Sequence, residues 1–240
     1  MDELWVARAG LVPYREALAA QKRLEAARVA GEVPDVLLLL EHPPVYTKGR
    51  RTTAAELPMG EDWYRMQGVD VCETDRGGRV TFHGPGQLVG YPIVSLKPYG
   101  NDVHGYIRKM ERVVIDSLGE HGVHAGVMVG LTGVWVGDRK IGSIGVHVNR
   151  AVTTHGFAVN VSNDLQPFEW IVPCGIESCR MTSLTRELGT EQEVGAFATT
   201  VAGCFAAVYA RRAVKVDAGE LAARVEGLDG LGTPALASVR

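Results

Sequence analysis

Four short segments of this chain concentrate the cysteine, lysine, histidine and arginine side chains that could perform chemistry. The first is IVPCGI, in which Cys174 stands between Pro173 and Gly175. These neighbours predict a bend, and a bend presents a side chain to a pocket. A cysteine in such a loop, in a chain that also carries histidines and a lysine, is a candidate nucleophile. A single cysteine is more often a small buried apolar residue, so both interpretations stay open at this point.

The second segment is GDRKIGSIGVHVNR, where Lys140 is flanked by apolar and small residues. Its pattern predicts one strand of a hairpin, with Lys140 and Gly142 on one face and Ile141 and Ser143 on the other. A lysine in such a strand is usually a solvated edge residue.

The third and fourth segments are rich in small residues. RGGRVTFHGPGQ, residues 76–87, packs five glycines or prolines, two arginines and His83 into twelve residues. Glycine lets the backbone approach a ligand closely, but a tight hairpin with solvated arginines explains the same composition. HGFAVN, residues 155–160, places His155 ahead of another strand of small residues.

Several classes of function have no support in the sequence. There is no GxxxxGK[ST] loop, no GxSxG elbow and no HExxH motif. Cys72, Cys174, Cys179 and Cys204 form no CxxC pair and no zinc-type spacing with histidine, so we expect neither a metal nor a cofactor. The formal net charge of −3 does not favour nucleic-acid binding.

The ends and the hydropathy pattern predict a soluble cytoplasmic protein. The longest aliphatic run, residues 36–40, is too short to cross a membrane, which takes about 20 apolar residues. MDELWVARAG at the N-terminus lacks the pattern of a secretory signal.

The elements that must position these segments alternate irregularly. The patterns predict helices over 13–30, 61–66, 103–122 and 194–208, and strands over 36–40, 45–50, 69–73, 80–82, 88–96, 134–136, 140–148 and 153–161. Without a regular βαβ alternation, the fold class is α+β, a mixed sheet with helices packed on one side. We expect a single domain over 1–213, followed by a peripheral segment, 214–240, of small strands or helices and a loose tail.

Taken in order, these segments resemble the octanoyl-acyl carrier protein:protein octanoyltransferase family of lipoate biosynthesis. RGGRVTFHGPGQ resembles the family's most distinctive block, while Lys140 in DRKIGSIG and Cys174 in PCGI resemble its catalytic pair. HPPVYTKGR at 42–50, HGFAVN at 155–160 and TSL at 182–184 also match. The chain departs conservatively at Val159, where the family has leucine, and the part beyond 213 carries no matching motif.

The resemblance implies a fold like the catalytic domain of biotin and lipoate protein ligases, and a reaction in two half-steps. Cys174 would take an octanoyl group from the phosphopantetheine thioester of acyl carrier protein. A lysine ε-amine of a lipoyl domain, in 2-oxoacid dehydrogenase complexes or the glycine cleavage H protein, would then attack this acyl-enzyme. Lys140 would lower the pKa of the thiol and act as acid and base. Transfer from thioester to amide runs downhill, so no ATP is expected.

The same matching implies which residues contact the substrate. They are Arg76, Gly77, Gly78, Arg79, Val80, Thr81, Phe82, His83, Ser143, Ile144, Gly145, His155, Gly156 and Phe157.

Particular roles follow from the residue types in this set. The backbone N–H groups near Gly77, Gly78 and Cys174, and the side chain of His83, are candidate donors to the tetrahedral intermediates. Apolar walls for the acyl chain are expected from Val80, Phe82, Ile144 and Phe157. We expect His155 to orient Lys140 or to line the channel. A basic rim for acidic carrier proteins is expected from Arg50, Arg51, Arg76, Arg79, Arg139 and Arg150.

Three other functions compete with this reading. An ATP-dependent lipoate or biotin ligase would share the fold but activate a free acid as an adenylate, without a cysteine nucleophile. A carrier-domain binding module would bind a lipoyl domain and form no covalent adduct. A cysteine hydrolase would use water in place of the amine.

Overall fold

Two β-sheets organise the part of the chain that the computed structural model describes, residues 2–172, 179–228 and 231. The strands are β1 (Glu3–Leu11), β2 (Asp35–Glu41), β3 (Val45–Lys48), β4 (Asp70–Glu73), β5 (Thr81–His83), β6 (Gln87–Ile93), β7 (Gly126–Met128), β8 (Leu131–Val136), β9 (Arg139–Asn149), β10 (Val152–Asn160), β11 (Arg180–Met181) and β12 (Arg212–Asp217). The helices are α1 (Tyr14–Ala30), α2 (Glu61–Met66), α3 (Val103–Glu120), α4 (Leu184–Leu188), α5 (Val194–Val208) and α6 (Ala218–Arg224).

The large sheet is mixed, as expected. Its order is β12-β1-β2-β6-β10-β9-β8-β7, and β11 pairs with β9 beside this path. β1 runs parallel to both neighbours, and the pairs from β2 through β8 to β7 are antiparallel. The small sheet has the order β4-β3-β5 and packs with α2 around the aromatic rings of Tyr46, Tyr64 and Phe82.

Helices cover both faces of the large sheet, so the expectation of helices on one side is wrong. The aliphatic run in β2 explains the difference. Leu37 and Leu39 pack on the face covered by α3 and α5, whereas Val36, Leu38 and Leu40 pack on the face covered by α1 and α6. A strand that is apolar on both faces must be covered on both, whereas a strand with one solvated face alternates apolar and polar residues.

The segment beyond 213 belongs to the main core and is not peripheral as far as the structure describes it. β12 extends the sheet by pairing parallel with β1, and the predicted boundary at 213 falls inside this strand. Val216, Leu221 and Leu228 are buried in the core under α1. β12 thus takes its place in the sheet through a pairing with the opposite end of the chain.

The predicted helices are confirmed, with local signals at their ends. The Asp102 side chain accepts a hydrogen bond from the Gly105 N–H at 2.9 Å and begins α3. Gly31, with φ +79°, ends α1 in the left-handed conformation that glycine adopts without strain. Within the described residues, none of these helices has the length and apolar character needed to span a membrane.

Candidate active site

A cavity of about 400 Å³ lies between the loop that precedes β5, strands β8 to β10, and α3. Thirteen residues predicted to be catalytic or to contact substrate line it: Arg76, Gly77, Gly78, Arg79, Thr81, His83, Lys140, Ser143, Ile144, Gly145, His155, Gly156 and Phe157. Segments far apart in the sequence therefore converge on one space. Its volume is in the usual range for small-molecule sites, about 300–1,000 Å³.

Two predicted wall residues do not line the cavity. Val80 and Phe82 are buried in the aromatic core of the small sheet, where Phe82 packs edge-on against Phe168. The alternation of side chains along a strand explains this, because Thr81 and His83 on the same strand point to the cavity.

Other residues of the wall were not predicted. Val103 and Ile107 of α3 and Leu131 of β8 add apolar surface, and Tyr14 and Tyr91 add ring surface. In the sequence, the two α3 residues have the spacing of ordinary core positions. Only their location opposite β9 gives them a second role.

Lys140 is buried, which overturns the usual solvated position of a strand lysine. Only 3% of the residue is exposed, and its Nζ lies 5.5 Å from the centre of the Trp135 ring. The predicted β8–β9 hairpin is confirmed, but it carries an irregularity between Val134 and Trp135. The bare backbone of Gly133 makes room for the lysine, because a Cβ there would lie 2.8 Å from Lys140 Cε.

The predicted nucleophile, Cys174, lies outside the described residues, but both flanks of its segment are anchored near the cavity. On one side, the Val172 N–H donates to the Glu56 carbonyl at 3.0 Å. The Glu56 side chain in turn binds Arg79 of the cavity wall. On the other side, Met181 pairs with Lys140 in the β11–β9 ladder.

Two other cysteines have the character of structural residues. Cys72 and Cys204 are buried and form no disulfide. Burial raises the pKa of the Cys72 thiol to about 11, and it also raises the pKa of Cys204. Neither is therefore an ionised nucleophile at neutral pH. Cys179 is partly exposed, with its Sγ 3.9 Å from the Met181 sulfur.

His42 and His83 use both ring nitrogens in hydrogen bonds. His42 donates from Nδ1 to the Val12 carbonyl at 2.6 Å and accepts at Nε2 from the Tyr91 hydroxyl at 2.7 Å. His83 lies 2.7 Å from Gln87 Oε1 through Nδ1 and 3.3 Å from the Thr47 hydroxyl through Nε2. Desolvation lowers the pKa of His42 to about 4 and that of His83 well below 6.5. His83 lines the cavity but has no spare N–H, so its predicted role as an oxyanion donor is not supported.

His155 occupies a strained position in the cavity wall. Its φ is +57°, a left-handed conformation that is rare for a residue other than glycine. Its N–H donates to Gln21 Oε1 at 2.7 Å, and its Nε2 donates to Asp75 Oδ1 at 2.7 Å. Burial lowers the pKa of His155 against the opposing effect of Asp75. The hydrogen bond from His155, together with Lys22, holds the pKa of Asp75 well below its usual range.

The proposed contact between His155 and Lys140 is not made. His155 pairs with Val146 in the β9–β10 register, six residues along β9 from Lys140. At about 3.3 Å per residue, the two Cα positions are about 20 Å apart, too far for their side chains to meet. Of the two roles considered, lining the channel is the one that the geometry supports.

Three of the six arginines expected in a basic rim have other partners. Arg76 is buried and donates to the Thr47 carbonyl and hydroxyl. Arg79 pairs with Glu56, and Arg139 pairs with Glu187. The remaining members, Arg50, Arg51 and Arg150, are exposed. Among the described residues, no group of three or more histidine, cysteine or carboxylate side chains is placed to hold a metal ion.

Comparison with known structures shows which fold class this chain has. A solved structure of a bipartite lipoate protein ligase from Thermoplasma acidophilum superimposes with a TM-score of 0.69 at 16% identity, covering 95% of this chain and 93% of that one. This likeness shows the fold, and the predicted resemblance to ligase catalytic domains is confirmed.

Sequence relatives then specify the family. The family model for the lipoyl protein ligase A/B catalytic domain matches residues 13–206. An octanoyltransferase of Solibacter usitatus is 52% identical over 167 residues, which cover 70% of this chain and 76% of the relative. An octanoyltransferase of Geobacter sulfurreducens is 49% identical over 197 residues, covering 82% and 81%. The chain belongs to the lipoyl protein ligase A/B catalytic-domain family and, within it, to the octanoyltransferases.

Proposed function

We propose that this chain transfers an octanoyl group from acyl carrier protein to a lysine of a lipoyl domain, through a thioester on Cys174. The observation that carries the proposal is Lys140, a nearly fully buried ammonium in the cavity wall, paired with the strand that follows the Cys174 segment. Burial removes the hydration of a lysine ammonium, so lysine is rarely this buried in a protein without a compensating interaction. Next to a thiol, that charge favours the thiolate.

In the first half-reaction, the Cys174 thiolate attacks the carbonyl carbon of the carrier thioester. A new carbon–sulfur bond forms, and the bond to the pantetheine sulfur breaks. The departing thiolate takes a proton from the Lys140 ammonium and leaves as a thiol. The enzyme is left as an octanoyl thioester beside a neutral Lys140 amine.

In the second half-reaction, the neutral amine of the acceptor lysine attacks the Cys174 thioester. Lys140 takes the proton that this nitrogen loses as the amide forms, and Cys174 departs as a thiolate. The starting pair of thiolate and ammonium is restored. No nucleotide enters either step.

The tetrahedral intermediates need hydrogen-bond donors. The Gly77 N–H already donates to the Val146 carbonyl at 2.9 Å. We therefore assign the oxyanion to the backbone N–H groups of Gly78 and Cys174. Glycine is required at position 145 of β9, opposite this loop, because a Cβ there would lie 2.9 Å from the Gly77 carbonyl oxygen.

The acyl chain would occupy the apolar part of the cavity. Ile144, Phe157, Ile107 and Leu131 supply this surface. Arg50 and Arg51 lie beside this cavity, because their backbone N–H groups donate to the carbonyls of Arg76 and Gly78 in its wall. Both arginines are exposed, so their charges suit an acidic carrier or lipoyl domain.

Intact mass spectrometry tests the proposal. Mixing the protein with octanoyl-carrier should add one octanoyl mass, and a lipoyl domain should remove it. Cys174→Ala should show no adduct, whereas Cys72→Ala and Cys204→Ala should behave as the wild type. In Lys140→Ala the adduct should form at least about 100-fold more slowly, because loss of a general acid–base group typically costs about 10²–10⁴-fold. An adduct that survives in Cys174→Ala would overturn the assignment.

A ligase of the same fold is the second candidate, because a solved structure of similar fold is a lipoate protein ligase. It would need ATP and a free acid. The same assay separates the two, since ATP with free octanoate should produce no adduct and no octanoylated lipoyl domain if the chain is a transferase.

A further inference from the structure

A continuous hydrogen-bond chain runs from the cavity wall to the strand that carries Lys140. It passes through Thr47, His83, Gln87, Asn160 and Thr182, all of which are buried. Each of these residues lies in one of the motifs that the sequence singles out, yet the proposed chemistry uses none of their side chains directly. We propose that the side-chain amides of Gln87 and Asn160 are positioning groups, which hold Lys140 and the end of the Cys174 segment in register.

The direction of the chain is determined at Gln87. Its Nε2 lies 3.1 Å from the Phe82 carbonyl, which can only accept, so this atom is the amide nitrogen. The same nitrogen donates to Asn160 Oδ1 at 2.9 Å. Gln87 Oε1 is then an acceptor, and His83 donates to it from Nδ1. Because desolvation keeps the His83 ring neutral, its Nε2 carries no hydrogen and accepts from the Thr47 hydroxyl.

The orientation of the Gln87 amide fixes that of the Asn160 amide, which connects to β9 through Thr182. Because its Oδ1 accepts from Gln87, its Nδ2 is the donor and bonds to the Thr182 carbonyl at 2.9 Å. The Thr182 N–H donates to the Lys140 carbonyl at 2.9 Å. Thr182 therefore accepts a hydrogen bond from Asn160 and donates one to Lys140. It is the first residue after β11.

β11 needs this support, because it contains two residues and pairs with β9 alone among the described strands. A ladder this short is weak by itself. Asn160 and the Thr182 hydroxyl, which donates to Glu187, fix the backbone just beyond it. Since β11 follows the segment that holds Cys174, a shift here would move the end of that segment relative to Lys140. A misplacement of about 1 Å can reduce a rate about 10²-fold.

Isosteric substitutions test this inference, which rests on the proposed function. Asn160→Asp keeps the acceptor for Gln87 but replaces the donor to Thr182 with an oxygen. Gln87→Glu keeps the acceptor for His83 but removes the donor to Asn160. Asn163→Asp is the matched control, because Asn163 is equally buried but donates only to the carbonyl of Asp164 among the described hydrogen bonds.

Two measurements report on the relation between Cys174 and Lys140. They are the rate of octanoyl adduct formation and the pH midpoint of Cys174 alkylation by iodoacetamide. We expect Asn160→Asp and Gln87→Glu to slow the adduct about 10- to 100-fold and to move the midpoint upward, toward that of Lys140→Ala. Asn163→Asp should stay within about twofold of the wild type.

Two outcomes contradict the inference. One is an unchanged midpoint and rate in both variants. The other is loss of the folded state in both, seen by circular dichroism, because the inference assigns the chain a local role. A wild-type protein that forms no octanoyl adduct contradicts the proposed function instead.

Discussion

The buried histidines of this chain serve different purposes at the level of single residues. His42 and His83 are held neutral by desolvation, which outweighs the opposing effect of their hydrogen bonds to the Val12 carbonyl and to Gln87. His155 instead donates to a carboxylate, and its Nδ1 has no hydrogen-bond partner among the described residues. A histidine motif in the sequence therefore does not by itself identify an acid or base.

Asp75 should contribute to stability through the His155 hydrogen bond. Asp75→Asn removes the charge that accepts from His155 and pairs with Lys22, and we expect it to lower the free energy of unfolding by about 1–3 kcal/mol. Asp116→Asn, at an exposed ion pair with Arg112, should change it by less than about 1 kcal/mol. Urea denaturation measures both. Equal effects would mean that the Asp75–His155 contact is unimportant for the fold.

Secondary-structure elements far from the cavity hold its strands in place. β12 and α6 complete the edge of the large sheet next to β1, although the sequence predicts a peripheral segment there. The cavity depends on β9 and β10 at the other end of the same sheet. β12 and α6 should therefore affect the cavity through the stability of the whole sheet and not through direct contact with its wall.

Leu221 of α6 tests whether this segment is part of the core. It is fully buried, and Leu221→Ala should cost about 2–5 kcal/mol of unfolding free energy. The neighbouring Glu220→Ala, which loses only an exposed ion pair with Arg224, should cost less than about 1 kcal/mol. Thermal unfolding of the two variants compares them. If Leu221→Ala were as stable as Glu220→Ala, this segment would not be part of the core.

The whole molecule should lose stability in mild acid. Folding lowers the pKa of His42 to about 4 from 6.5, and it also lowers the pKa values of His83 and His155. Between these values the unfolded chain binds more protons than the folded one, so stability is fully present above pH 6.5 and falls as the pH drops toward 4.

The expected slope is on the order of 1 kcal/mol per pH unit for each histidine that stays neutral in the folded state. Urea denaturation at a series of pH values between 4 and 7 measures it. His42→Gln, which keeps a side chain able to hydrogen-bond, should be less stable at pH 7 but should have a shallower slope. A stability independent of pH in this range would show that these histidines titrate normally.

Local patterns were sufficient for most elements, and the family resemblance was sufficient for many of the residues that line the cavity. The helical spacing of α3, the aliphatic run of β2 and the Gly137–Asp138 turn before β9 each specify their element from neighbouring residues alone. The resemblance of the short motifs to the octanoyltransferase family grouped Arg76, Lys140 and His155 into one expected site.

Long-range contacts decided the rest, because burial and hydrogen-bond partners are properties of the folded chain. Sequence spacing could not show that Lys140 is buried over Gly133, that Phe82 points away from the cavity, or that helices cover both faces of the sheet. Nor could it show that Gln87, Asn160 and Thr182 meet, since 73 residues separate the first two and 22 the last two. Only the packing of β6 against β10, and of β11 against β9, brings these side chains together.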